Sequence, residues 1–202
     1  NLYESSWTLE TKEPDGTVLR TEEVEKSATS AGRFTRTRHV HEGEAGGTLL
    51  YHEQEEWGVE SVEGQSEPRT YLRSRTVDPN GVAQTTTFDY YPANAGAGKA
   101  FRVNLVTRPD GSWVAYDYDA YGRIILELFP WKDEPAPNPA NLDPASFRKL
   151  EYTYSGTESR PATVTETIQA DEAEHTTSVT DNTYTGSVDS AAPATETVNV
   201  TP

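Results

Sequence analysis

Apolar and polar residues alternate with a period of two along most of the chain, in short runs separated by clusters of Gly, Pro, Asp and Asn. That period puts every second side chain on one face of an extended strand, so the pattern predicts half-buried β-strands. Strands are expected at residues 34–40, 49–62, 150–154 and 162–168, besides those flanking a set of glycine turns. Runs of Ala, Leu, Lys and Glu at helical spacing are missing, whereas Thr, Val and Tyr are plentiful. The expected fold class is all-β: antiparallel repeated β-hairpins forming an extended curved sheet, open or partly wound.

Four tetrapeptides mark the turns: "EPDG" at 13–16, "DPNG" at 78–81, "RPDG" at 108–111 and "DAYG" at 119–122. Each fits a type I turn whose fourth residue, a glycine, adds a one-residue bulge. Counting outward through "VAYDYDAYGRIILELF" sets Asp119 opposite Arg123, Tyr118 opposite Ile124, Tyr116 opposite Leu126 and Val114 opposite Leu128. One face then becomes aromatic and aliphatic, and Asp117, Ala115 and Glu127 fall on the other, where Trp113 faces Phe129. The same count sets Glu10 against Arg20, with Leu19, Leu9 and Trp7 on the opposite face, and sets Leu72 against Phe88. Residues 130–147, "PWKDEPAPNPANLDPASF", hold too many prolines for a sheet centre and read as a long connection, packed over the surface or disordered. Residues 1–185 are therefore expected to form one β-repeat domain with that Pro-rich insertion, and 186–202 a linker or, through "TETVNV", an edge strand.

Charge narrows the partners. A formal net charge of −16 opposes nucleic acid and anionic lipid surfaces. The densest basic stretch, "GRFTRTRHVH", lies between acidic segments and reads as a solvated strand face. No apolar run approaches the ~18 residues of a membrane span, so no membrane insertion is expected. The absence of cysteine excludes disulfides and thiolate metal sites. Methionine is missing even at position 1, which suggests a chain processed or excised from a longer polypeptide.

Candidate chemistry is sparse. "DYDAYGRIILEL" starts like a calcium loop, with Asp117 and Asp119 at ligand spacing and Gly122 sixth, but Tyr121 and Leu128 stand where ligands are required. His39 and His41 share a strand face and, with His52 or Glu53, sketch a zinc or copper site that lacks a convincing third ligand; a polar outward face is the favoured reading. With 33 acidic residues, carboxylate pairs such as Glu55 and Glu56 carry no information alone. Nucleophile elbow, HExxH and phosphate loop are all missing. The chain is expected to be non-enzymatic, with no catalytic, cofactor-binding or metal residues. A carboxylate-based hydrolase is the residual enzyme class and predicts a deep acidic cleft with an acid of raised pKa. The tryptophans raise a different alternative, a carbohydrate-binding β module: Trp113 reads as core, whereas Trp57 and Trp131, beside acidic or Pro-rich loops, are candidates for stacking on a glycan.

The stretch "RPDGSWVAYDYDAYGRI" resembles the YD-repeat family, also called RHS repeats, in which a glycine turn and an alternating strand lead into Tyr-Asp-x-x-Gly-Arg and an aliphatic residue. Tyr118, Asp119, Gly122, Arg123 and Ile124 fill every fixed position. "DPNGVAQTTTFDYYP" keeps the turn and an aromatic-Asp pair, and "LEYTYSG" keeps the alternating tyrosines. The resemblance implies stacked hairpins that form part of a bacterial shell wall enclosing a toxin domain, or part of a secreted or cell-surface adhesion protein. Its partners would then be other repeats or domains of the parent polypeptide, with glycan as the alternative. The motif residues would have structural duties: Gly122 a positive φ, Asp119 a turn cap, Arg123 its ionic partner and Tyr118 a cover for the neighbouring strand.

Overall fold

The computed structural model describes residues 5–30, 32–61, 67–144, 146–170, 173–185 and 195–201. The chain divides into two compact units, 1–88 and 89–202. The first holds β1 (Ser5–Lys12), β2 (Val18–Ser30), β3 (Arg33–Glu42), β4 (Leu49–Glu60) and β5 (Arg69–Val77); β6 (Gln84–Tyr90) runs across the division. The second holds β7 (Val103–Thr107), β8 (Trp113–Tyr118), β9 (Ile124–Pro130), β10 (Phe147–Tyr154), β11 (Pro161–Ala170), β12 (Ala173–Thr185) and β13 (Thr195–Thr201). Within each unit every strand pairs antiparallel with its neighbours in sequence, and among the described residues first and last strands do not pair. The expected all-β class, repeated antiparallel hairpins in an open sheet, is the one observed, and the described residues contain no helix. Position 62 and most of the expected linker, residues 186–194 and 202, lie outside the described residues; "TETVNV" falls within β13.

The turns close as their glycines require. Gly16, Gly111 and Gly122 take positive φ, and their N–H groups donate to the carbonyls of Glu13, Arg108 and Asp119. Beyond the first pair, however, the registers slip. In β1–β2, Lys12 faces Val18 and Thr11 faces Arg20, skipping Leu19. In β8–β9, Tyr118 faces Ile124 and Asp117 faces Leu126, skipping Ile125. The same one-residue bulge, one position into the second strand, skips Leu50 in β3–β4 and Ala162 in β10–β11. Such bulges sharpen the right-handed twist of a hairpin.

The bulges correct the counted pairs. Tyr116 faces Glu127 rather than Leu126, and Ala115 rather than Val114 faces Leu128. Glu10 faces Thr21, and Arg20 faces Thr11. In β5–β6, Ser74 faces Thr87, one residue off the expected register. There Asp78 takes a φ of 52° and donates its N–H to the carbonyl of His52 on β4 instead of closing the hairpin, so the turn absorbs an extra residue.

The slip also moves the core of the second unit. Leu128 and Leu126 join the Trp113 and Ala115 face, where Leu105, Trp113, Ala115, Leu128 and Phe147 form a buried cluster. Trp113, expected to face Phe129, belongs to this cluster and is fully buried. The Pro-rich connection between β9 and β10 folds back over the unit. Leu142 packs on the cluster, the Trp113 indole donates to the Glu134 carbonyl at 2.9 Å, and the Asn104 amide donates to the Pro139 carbonyl at 2.7 Å. In the first unit Val24, Phe34 and Val40 are buried, and Thr21, wholly buried, donates its hydroxyl to the Gly43 carbonyl.

Candidate functional site

The YD-like residues form one connected lock. Asp119 Oδ1 accepts the backbone N–H groups of Tyr121 and Arg123, capping the turn, while Oδ2 takes the Arg123 guanidinium at 2.6 Å. Burial pushes the Asp119 carboxyl up, but these donors outweigh it and hold its pKa below the ordinary value. Arg123 then reaches into the next turn: its Nη1 donates to the carbonyls of Gly156 and Glu158, and its guanidinium lies 4.3 Å above the Tyr154 ring. The Tyr154 hydroxyl closes the circuit by donating to the Ile124 carbonyl at 2.7 Å.

The same circuit occurs one hairpin earlier, and the sequence carries no obvious signal for it. The Arg102 guanidinium lies 5.2 Å above the Tyr118 ring, whose hydroxyl donates to the Val103 carbonyl at 2.8 Å. In both cases an arginine just before a strand covers a tyrosine that ends the next strand, and the tyrosine bonds the carbonyl following that arginine. Burial pushes the Tyr118 phenol up to about 12, so it remains a hydrogen-bond donor at neutral pH. We expect Tyr118→Phe and Tyr154→Phe each to cost about 1 kcal/mol, read as lower urea midpoints with unchanged slopes, because each leaves one strand carbonyl without its donor.

Asp117 is more engaged than a plain polar residue. Its Oδ1 takes the Lys99 ammonium at 2.5 Å, the Tyr91 hydroxyl and the Tyr118 N–H. On the neighbouring strands Glu127, facing Tyr116, accepts the Tyr152 hydroxyl at 2.8 Å. These bonds satisfy carboxylates and leave Asp117 and Asp119 with separate structural partners.

In the first unit, one sheet face carries alternating charges that pair across neighbouring strands, some directly opposite and some diagonally. Glu22 on β2 is bidentate to Arg38 on β3, Arg38 faces Glu53 on β4, and Glu53 binds Arg75 on β5 and the Tyr51 hydroxyl. Burial pushes the Glu53 carboxyl up, but Tyr51 and Arg75 more than reverse it. The "RTR" arginines thus sit in a cross-strand ladder, as expected of a strand face between acidic neighbours.

Along the same face lies an aromatic groove of about 340 Å³ lined by Trp7, Lys26, Phe34, Arg36, Trp57 and Thr70. Phe34 and Trp57 are directly opposed across β3–β4, with parallel rings 6.0 Å apart. The Trp57 indole N–H donates to Glu55 at 3.0 Å, which fixes the ring, and Trp7 on β1 is 46% exposed. Of the glycan candidates, Trp57 is in this groove; Trp131 belongs to the second unit, half-buried at the start of the Pro-rich connection. Trp7, Lys26 and Phe34 become neighbours only through the register, which single-strand reading misses.

The histidines line the opposite face. His39 faces His52 across β3–β4 with ring centroids 4.2 Å apart, and His41 turns to Glu23 at 3.1 Å and to the Gly47 carbonyl. Among the described residues no group of three His, Cys, Asp or Glu side chains is arranged to hold a metal ion. Burial, then the neighbouring His39, lower the His52 pKa from 6.5, with Asp78 opposing them. The unfolded chain therefore binds the proton more readily than the folded one, and stability declines as pH falls through 6.5 toward the lowered folded value. Urea midpoints between pH 8 and 5 should show this decline, and His52→Gln should flatten it.

No model of a known protein family matches the chain, and no curated protein sequence matches it.

Proposed function

We propose that the chain is a non-enzymatic structural β-repeat segment of a larger secreted or cell-surface bacterial protein of the YD/RHS kind, serving as shell wall or interaction surface. The observation that carries this reading is the repeated lock, Arg102 with Tyr118 and Arg123 with Tyr154, which joins each hairpin to the next through side chains reaching backbone carbonyls. A lock of that form can be added hairpin by hairpin, and each added hairpin covers the last. Among the described residues, Asp15, Glu22, Glu53, Asp110 and Asp119 are held below the ordinary carboxyl pKa by the donors around them. A general acid needs the opposite shift. Antibodies raised against the chain should label intact cells or their secreted fraction and detect a polypeptide much longer than 202 residues. A cytosolic polypeptide of this length, or polysaccharide hydrolysis abolished by one carboxylate substitution, would sink the proposal.

A second reading, a carbohydrate-binding β module, is favoured by the groove that brings Trp57 beside Trp7 and Phe34. It is compatible with a wall segment, since one sheet face can bind while the other packs.

A further inference from the structure

Lys26 and Arg36 stand directly opposite each other across β2–β3. Like charges in that position repel, and sheets ordinarily set a carboxylate there. Arg36 has one, Glu55, at 3.4 Å, but Glu55 also accepts the Trp57 indole N–H. Lys26 has none among the described residues; its recorded contact is with the Phe34 ring, 5.7 Å below its ammonium. In a chain of net charge −16, where Arg38 has Glu53 opposite it on β4 and a bidentate Glu22 beside it on β2, an undercompensated cation pair at the rim of an aromatic groove calls for an anion from outside.

The surroundings specify that anion further. Trp7 and Trp57 line the groove, Phe34 is 6% exposed, and the exposed Thr70 contributes a hydroxyl. An indole face carries negative quadrupole potential and attracts the weakly positive C–H hydrogens on the flat side of a pyranose. A ring that stacks on indole while extending a carboxylate to Lys26 and Arg36 is a hexuronic acid. We infer that the groove lined by Trp7, Lys26, Phe34, Arg36, Trp57 and Thr70 binds a hexuronate-containing oligosaccharide, with the uronate carboxylate on Lys26 and Arg36. This rests on the carbohydrate-binding reading and adds the class of sugar.

The test titrates the intact chain with hexagalacturonate, its methyl ester and hexaglutamate peptide, followed by calorimetry and indole fluorescence. Hexagalacturonate is expected to bind at least about tenfold more tightly than the uncharged ester, and more weakly as salt rises. Trp57→Ala should abolish binding; because that change also unstacks Phe34, Lys26→Gln provides the second arm and should lose about tenfold for the acid and nothing for the ester. Equal binding of acid and ester overturns the uronate assignment and leaves the broader carbohydrate reading standing. No binding of either sugar overturns both. Hexaglutamate binding as tightly as the sugar, or Lys26→Gln binding like the unaltered chain, also overturns the inference.

Discussion

Replacing Trp113 with alanine is expected to destabilise the second unit by about 3–5 kcal/mol, the range for deleting a large aromatic from a packed core. Trp113 is fully buried in the cluster of Leu105, Ala115, Leu128 and Phe147. It also holds the Pro-rich connection, since its indole N–H donates to the Glu134 carbonyl. Removing it opens a cavity and releases one anchor of residues 131–146. Trp113→Phe separates the two effects: it keeps much of the packing, drops the hydrogen bond, and should cost about 1–2 kcal/mol. Urea unfolding measures the loss, and limited proteolysis within residues 131–146 should accelerate in both variants. A midpoint unchanged by Trp113→Ala would show that the cluster is not the core of this unit.

Trp113 illustrates how far the fold is legible from sequence. Period-two alternation and glycine turns suffice for the class and for the first pair beyond the turns at Gly16 and Gly122, because both signals are local. The bulges at Leu19, Leu50, Ile125 and Ala162 leave no local mark: these residues look like ordinary strand positions. One skipped residue reverses which faces meet: Trp113, expected in the core, is there, but its partners are Leu126 and Leu128, which the count places on the other face, rather than Phe129. β12 went unexpected for a related reason: "AEHTTSVTDNTYT" is nearly all polar and shows no apolar face to count.

The motif site was readable where its bonds are local and obscure where they are long-range. Asp119, Gly122 and Arg123 lie within five residues of each other, and their expected duties of cap, positive φ and ion pair are those seen. Arg123 reaching Gly156, or Arg102 covering Tyr118, depends on which hairpins become neighbours. The groove around Trp57 is of the second kind, assembled from β1 to β5, so only one of its six lining residues could be singled out beforehand.

Gly122→Ala is expected to cost about 2 kcal/mol, from two sources that a double-mutant cycle can separate. Gly122 has a φ of 79°, where a Cβ is strained by about 1 kcal/mol. The added Cβ would also overlap the Arg102 guanidinium, which sits against Gly122 while covering the Tyr118 ring. Arginine is flexible, so it will swing away, and the loss is then its contact with Tyr118. Gly111 supplies the control: the φ is 82° in the same kind of turn, yet nothing lies within 4 Å of its would-be Cβ. Gly111→Ala should therefore cost only the backbone part, about 1 kcal/mol. In an Arg102→Ala background Gly122→Ala should fall to the same value, a coupling of about 1 kcal/mol, measurable by urea unfolding of the four proteins in the cycle. Strict additivity of Gly122→Ala and Arg102→Ala would mean that the guanidinium does not occupy the space left by the missing side chain, and that the link between successive hairpins runs through Tyr118 alone.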